Sequence, residues 1–254
     1  MKICDPAELF GKLDKETFNR VQECFGKIGS FLKLGDTFRF ECDRSGRCCK
    51  NRFTNAIILS TYDVARLRKR LKISSREFLK RYAILTLGAE SQIPIALLKY
   101  DEEKSGKNKC PFLRSYGCNV YEDRPLRCRL YPVGRAIGID GQSYFFLMDV
   151  PSTCGLGKGR SYTVEEWLQE SEVEPYFNWS DRFFEIIMKM DHQKYRSLED
   201  RIKNALGLLM FDFDTFIEKL VDSKMIKKPV DDDRIMSVVL DAVKVLIEQI
   251  GENN

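Results

Sequence analysis

The sequence predicts an α+β protein, with a small mixed cysteine-rich metal-binding domain followed by an α-helical C-terminal region. Three observations carry this. Short apolar and alternating runs of strand type concentrate before residue 150. Seven of the nine cysteines fall between Cys42 and Cys154, beside turn-forming Gly and Pro. From Thr163 onward apolar residues recur at helical spacing. Charge divides the chain at the same place: residues 1–160 hold 30 basic and 18 acidic residues, residues 161–254 hold 12 and 20. The expected organisation is a basic cysteine-cluster domain over 1–160 and an acidic helical region over 161–254.

In chain order, residues 6–29 have broken helical periodicity, with Leu9, Leu13, Val21, Phe25 and Ile28 on one side. Cys4 and Cys24 read as small apolar residues there. Residues 37–41 alternate as a short strand that delivers the chain to Cys42, and 56–59 reads as a buried strand. Ser60 or Thr61 caps a basic helix to about Arg70, and Ser74-x-x-Glu77 has capping-box form. Residues 93–100 are strand-like, with Pro94 suggesting an edge, and 101–109 form a charged loop. Residues 133–139 and 143–148 flank Asp140-Gly141-Gln142 as a hairpin. Helices follow near 163–170, 175–192, 197–210, 212–222 and 232–250.

The 43% hydrophobic content, with balanced charge, excludes a wholly disordered chain, and no apolar run reaches the roughly 18–20 residues of a membrane span. Met1-Lys2-Ile3-Cys4-Asp5 leads into no apolar stretch, so the chain is expected to be soluble and cytoplasmic with reduced thiols.

Under those conditions clustered cysteines point to metal rather than disulfides. The candidate ligands are Cys42, Cys48, Cys49, Cys110, Cys118, Cys128 and Cys154. Thiolates are soft donors that favour zinc or iron–sulfur chemistry over hard cations. Gly46, Pro111, Gly117 and Pro125 suit turns that aim sulfurs inward. Adjacent side chains rarely point the same way, so Cys48 and Cys49 need not serve one metal. The single histidine, His192, lies far along the chain and reads as surface. Arg44, Arg47, Lys50, Arg52, Arg114, Arg124, Arg127 and Arg129 are placed to offset thiolate charge, or are simply solvated.

These blocks resemble the cysteine-cluster proteins of the YkgJ type, whose motif reads Cys-x-x-Cys-x-x-Cys-Cys and which are described as zinc- or iron-chelating. Cys110-Pro111-Phe112-Leu113, Cys118-x-x-Tyr121-x-x-Arg124-Pro125-x-x-Cys128-Arg129-x-Tyr131-Pro132 and Cys154 before Gly155-x-Gly157-Lys158-Gly159 continue the likeness. It covers about residues 38–170. Ser45 stands where the motif has its second cysteine.

The resemblance implies a cysteine-ligated metal protein. The expectation is an iron–sulfur cluster, of 4Fe–4S type, in an electron-transfer or accessory role. A structural zinc module presenting a basic surface to a protein or nucleic acid is the alternative. A cluster-containing methyltransferase, by likeness to the cysteine region of flagellin lysine methylase, is a further one. A protein partner is expected, nucleic acid is not favoured, and no membrane is implied. Asp63, Glu122 and Asp123 could do acid–base work, but nothing pairs them with a substrate.

Overall fold

A computed structural model describes residues 28–42, 44, 46–49, 57–88, 91–102, 108–138, 141–148, 155–228 and 230–252. Cys4, Cys24, Ser45, Lys50, Arg52 and Cys154 lie outside them, as do residues 6–27 of the helical stretch expected over 6–29. The chain has the mixed α+β make-up and helical C-terminal part that its patterning predicts. It packs as two units. One comprises Met1–Ile57 and Lys99–Pro175, the other Ile58–Leu98 and Tyr176–Asn254. The compositional divide near residue 160 therefore differs from the packing divide. Residues 58–98 are apolar enough to form their own core, and they build it with the later helices.

In the first unit, β1 (Ile28–Leu32), β11 (Ser143–Met148) and β10 (Val133–Ile137) form an antiparallel sheet in the order β1-β11-β10. Ile28 thus opens a strand rather than ending a helix. The expected hairpin of β10 and β11 forms, with Ile137 opposite Ser143 and Gly134 opposite Phe146. β2 (Thr37–Phe40) pairs with β12 (Leu156–Thr163), a strand that glycine-rich composition conceals. Gly155, Gly157 and Gly159 all take positive φ there, and the register shifts between Leu156 and Ser161. Phe38 and Phe40 point inward from β2 against Trp167 on the helix Val164–Glu170, at ring distances of 5.9 and 5.3 Å. The Trp167 indole N–H donates to the Leu130 carbonyl at 2.8 Å. That bond anchors α3 (Leu126–Leu130), the short helix bearing Cys128.

The second unit begins with β3 (Ile58–Leu59) and the helices α1 (Thr61–Leu71) and α2 (Ser75–Tyr82). Ser60 and Asp63 close a capping box on α1, and the Ser74 hydroxyl accepts the Glu77 amide at the start of α2. β5 (Pro94–Leu98) lies between β3 and β4 (Ala83–Leu87), so it is the central strand and not an edge. Pro94 is tolerated because it is the first residue of that strand. Gly207, on the helix Asp200–Phe211, lets that helix lie against Pro94 and Leu85. The helix expected over 175–192 runs Glu174–Met188, and a short helix that was not expected, His192–Ser197, follows it, capped by Asp191 accepting the Lys194 amide. Among the described residues no helix is long and apolar enough to cross a membrane.

Candidate metal centre

Cys48 and Cys49 lie in a 3-10 turn, Arg47–Cys49, whose last amide donates to the Gly46 carbonyl at 2.9 Å. Gly46 is at φ 70° and packed so tightly against Leu113 that a Cβ would lie on its methyl carbon. The turn therefore depends on glycine. A second turn starts at Cys110, whose amide donates to the Cys49 carbonyl at 3.0 Å and whose carbonyl accepts the Leu113 amide at 3.0 Å. The hairpin of β8 (Leu113–Arg114) and β9 (Gly117–Cys118) then carries Cys118 back beside it. Cys128 sits on α3, its amide donating to the Pro125 carbonyl at 2.8 Å.

These turns bring thiols from separate segments within reach of one another's influence. The Sγ atoms of Cys48 and Cys49 are 3.8 Å apart. The expectation that the adjacent pair would diverge is thus corrected: the tight turn leaves both side chains on one side. Cys110 hydrogen-bonds the Cys49 thiol, which pushes its pKa up far beyond the usual thiol range; burial and the charges of Cys110 and Cys128 add to this, while Cys48 opposes it. Burial raises Cys118, with Cys48 adding to the rise and Arg124 and Arg114 working against it. Cys42, at the end of β2, is exposed. All six described cysteines carry reduced thiols. Gly155, the residue after Cys154, lies against Glu41, the residue before Cys42.

The basic residues divide in role. Arg129 is buried and donates to the carbonyls of Glu122 and Ser171, so it braces α3 rather than offsetting thiolate charge. Sequence reasoning missed Tyr121, whose ring takes the guanidiniums of both Arg44 and Arg124, with Cζ 4.4 and 4.1 Å from its centroid. The Tyr121-x-x-Arg124 spacing was a usable local signal for one of these contacts. The Arg44 contact is long-range and leaves no local trace.

The donor set suits a soft cation. Several thiols from separated segments face one another, and the like-charge opposition to ionising Cys49 is what a bound cation removes. Among the described residues, no group of three or more His, Cys, Asp or Glu side chains is arranged to hold a metal ion.

This is a thiol-cluster module built from three cysteine-bearing turns. Residues 41–155 match the model of the CxxCxxCC family, described as "Putative zinc- or iron-chelating domain", over rather less than half of the 254-residue chain. No match was found among curated proteins or solved structures.

Proposed function

We propose that the first unit is a thiolate metal-binding module in which Cys48 and Cys49 hold one zinc or iron ion together. The observation that supports this most directly is their 3.8 Å Sγ separation. Two thiolates bound at about 2.3 Å to one tetrahedral ion stand about 3.8 Å apart. Cys110 and Cys128, the other thiols acting on Cys49, complete a set of four. Bound metal would tie the three turns together and, if iron, provide a one-electron couple for an accessory or electron-transfer role.

A 4Fe–4S centre is the second reading, favoured by Cys118. This fifth thiol lies near Cys48 and exceeds what one tetrahedral ion takes. In such a cluster each iron carries one cysteine, which calls for more widely spread sulfurs than the Cys48–Cys49 pair offers.

Anaerobic purification with metal and sulfide analysis tests both. One metal equivalent without sulfide, lost in Cys48→Ser and Cys49→Ser but kept in Cys42→Ser, is the expected result. Stoichiometric iron and sulfide would establish the cluster instead. Absence of any bound metal after anaerobic loading with zinc, with ferrous iron and with iron plus sulfide would remove both.

A further inference from the structure

Beside the thiols stand three guanidiniums that make no ion pair among the described residues. Arg44 and Arg124 lie over the Tyr121 ring. Arg124 Nη1 also donates to the Tyr121 carbonyl at 2.8 Å, and Arg114 Nη1 donates to the Pro111 carbonyl at 2.7 Å. Two of the three heads are thereby tethered to backbone carbonyls. Gly117, at φ 112°, comes so near Arg44 that a Cβ would sit 3.2 Å from the Arg44 carbonyl oxygen, which sets the Arg44 backbone against the β8–β9 hairpin. At the tip of that hairpin Tyr116 is 77% exposed.

Ion pairs elsewhere give the contrast. Arg160 pairs with Glu170, and Arg68 and Arg76 of the second unit pair with Asp214 and Asp212. None of Arg44, Arg114 and Arg124 is in an ion pair among the described residues. Ordinary solvated charge explains one such arginine well. It explains less well three gathered round one hairpin, two of them tethered through carbonyls and two sharing a tyrosine.

We propose that Arg44, Arg114, Arg124 and Tyr116 form a collar that binds a carboxylate-rich segment of a partner protein beside the thiols. Guanidinium forks match carboxylates in paired hydrogen bonds, and pre-oriented heads lose less freedom on binding. Exposed Tyr and Arg are the residue types that dominate interface energies. Single-stranded nucleic acid fits less well, because two guanidiniums already lie on the Tyr121 ring and compete with a base for it, which leaves Tyr116 as the open stacking platform. The collar requires no particular metal, so its test is independent of the metal reading.

The test is fluorescence anisotropy of a short labelled oligoglutamate peptide titrated with the full chain at low and moderate salt. Binding should weaken with salt. Arg44→Gln/Arg124→Gln should weaken it by about tenfold or more, and Tyr116→Ala by a smaller factor. A control with the same charge change, Lys33→Gln/Lys158→Gln, should stay within about twofold of the parent. Arg44→Gln alone, at an exposed side chain, keeps the test usable if the double variant does not fold. Equal losses in the control, no loss in either Arg44 variant, or no binding would overturn the proposal. So would tighter collar-dependent binding of a labelled oligothymidine, which would assign the surface to nucleic acid.

Discussion

The Cys110 amide donates to the Cys49 carbonyl over 3.0 Å, so two cysteine-bearing turns far apart in sequence are joined through backbone alone. No sulfur takes part in that bond. The scaffold thus brings its thiols together before any metal is considered, and the metal-free protein should be a folded species whose thiols can be studied directly.

Its stability should fall as pH rises. Cys49 is raised first by its hydrogen bond with Cys110 and Cys118 first by burial, so both keep their protons in the fold above the ordinary thiol value. Below about pH 8.5 folded and unfolded chains are protonated alike at these thiols. Above it the unfolded thiols ionise while the folded ones do not, and the unfolded state gains. Urea unfolding of metal-free protein should show a lower midpoint near pH 9.5 than near pH 7. Cys49→Ser/Cys118→Ser should shrink the difference. Metal affinity should run the other way, strengthening over that range because binding displaces protons.

Trp167→Phe should cost about 1–3 kcal/mol, because it leaves the buried Leu130 carbonyl without its 2.8 Å donor. Leu130 ends the helix that carries Cys128, so the same variant should weaken metal binding. Trp179→Phe, in the second unit, should leave metal binding unchanged. Parallel denaturation curves and competitive chelator titrations of the two variants would separate these effects; equal metal affinity in both would break the link between Trp167 and Cys128.

Gly134→Ala should destabilise the first unit by about 1–3 kcal/mol. A Cβ there would sit 2.2 Å from a ring carbon of Phe146, which is fully buried and lies edge-on to Phe31 at 6.2 Å. Trimming that ring in Gly134→Ala/Phe146→Leu should recover part of the loss. A double-mutant cycle by thermal denaturation measures the coupling, and strict additivity would mean that the clash is relieved some other way.

Where periodicity and capping are local, the sequence was readable. Ser60, Ser74 and Thr163 cap the helices expected to follow them, and the hairpin expected over 133–148 forms. Long-range features were hidden. β12 is obscured by Gly155, Gly157 and Gly159, residues that lower strand propensity yet allow the bulge against Glu41. Pro94 looked like an edge because composition says nothing about which end of a strand a proline occupies. Within the candidate site the cysteines announced themselves by spacing. Their convergence depends on the Cys49–Cys110 backbone bond and the β8–β9 hairpin, and the arginine pair on Tyr121 depends on a contact from Arg44. None of these has a signature within a short window.

The strand pair that opens and closes the segment 58–98 has an evolutionary reading. Ile58 stands directly opposite Leu97, so the chain departs from and re-enters the thiol-bearing unit at neighbouring points. Such an arrangement is what an insertion leaves behind, here one whose core is completed by the helices after Pro175. A tight connector from Ile57 to Lys99, in a chain ended at Pro175, would yield a miniature thiol module, while the cut suggested by composition at residue 160 would strand β3, β4 and β5 without the later helices that cover them.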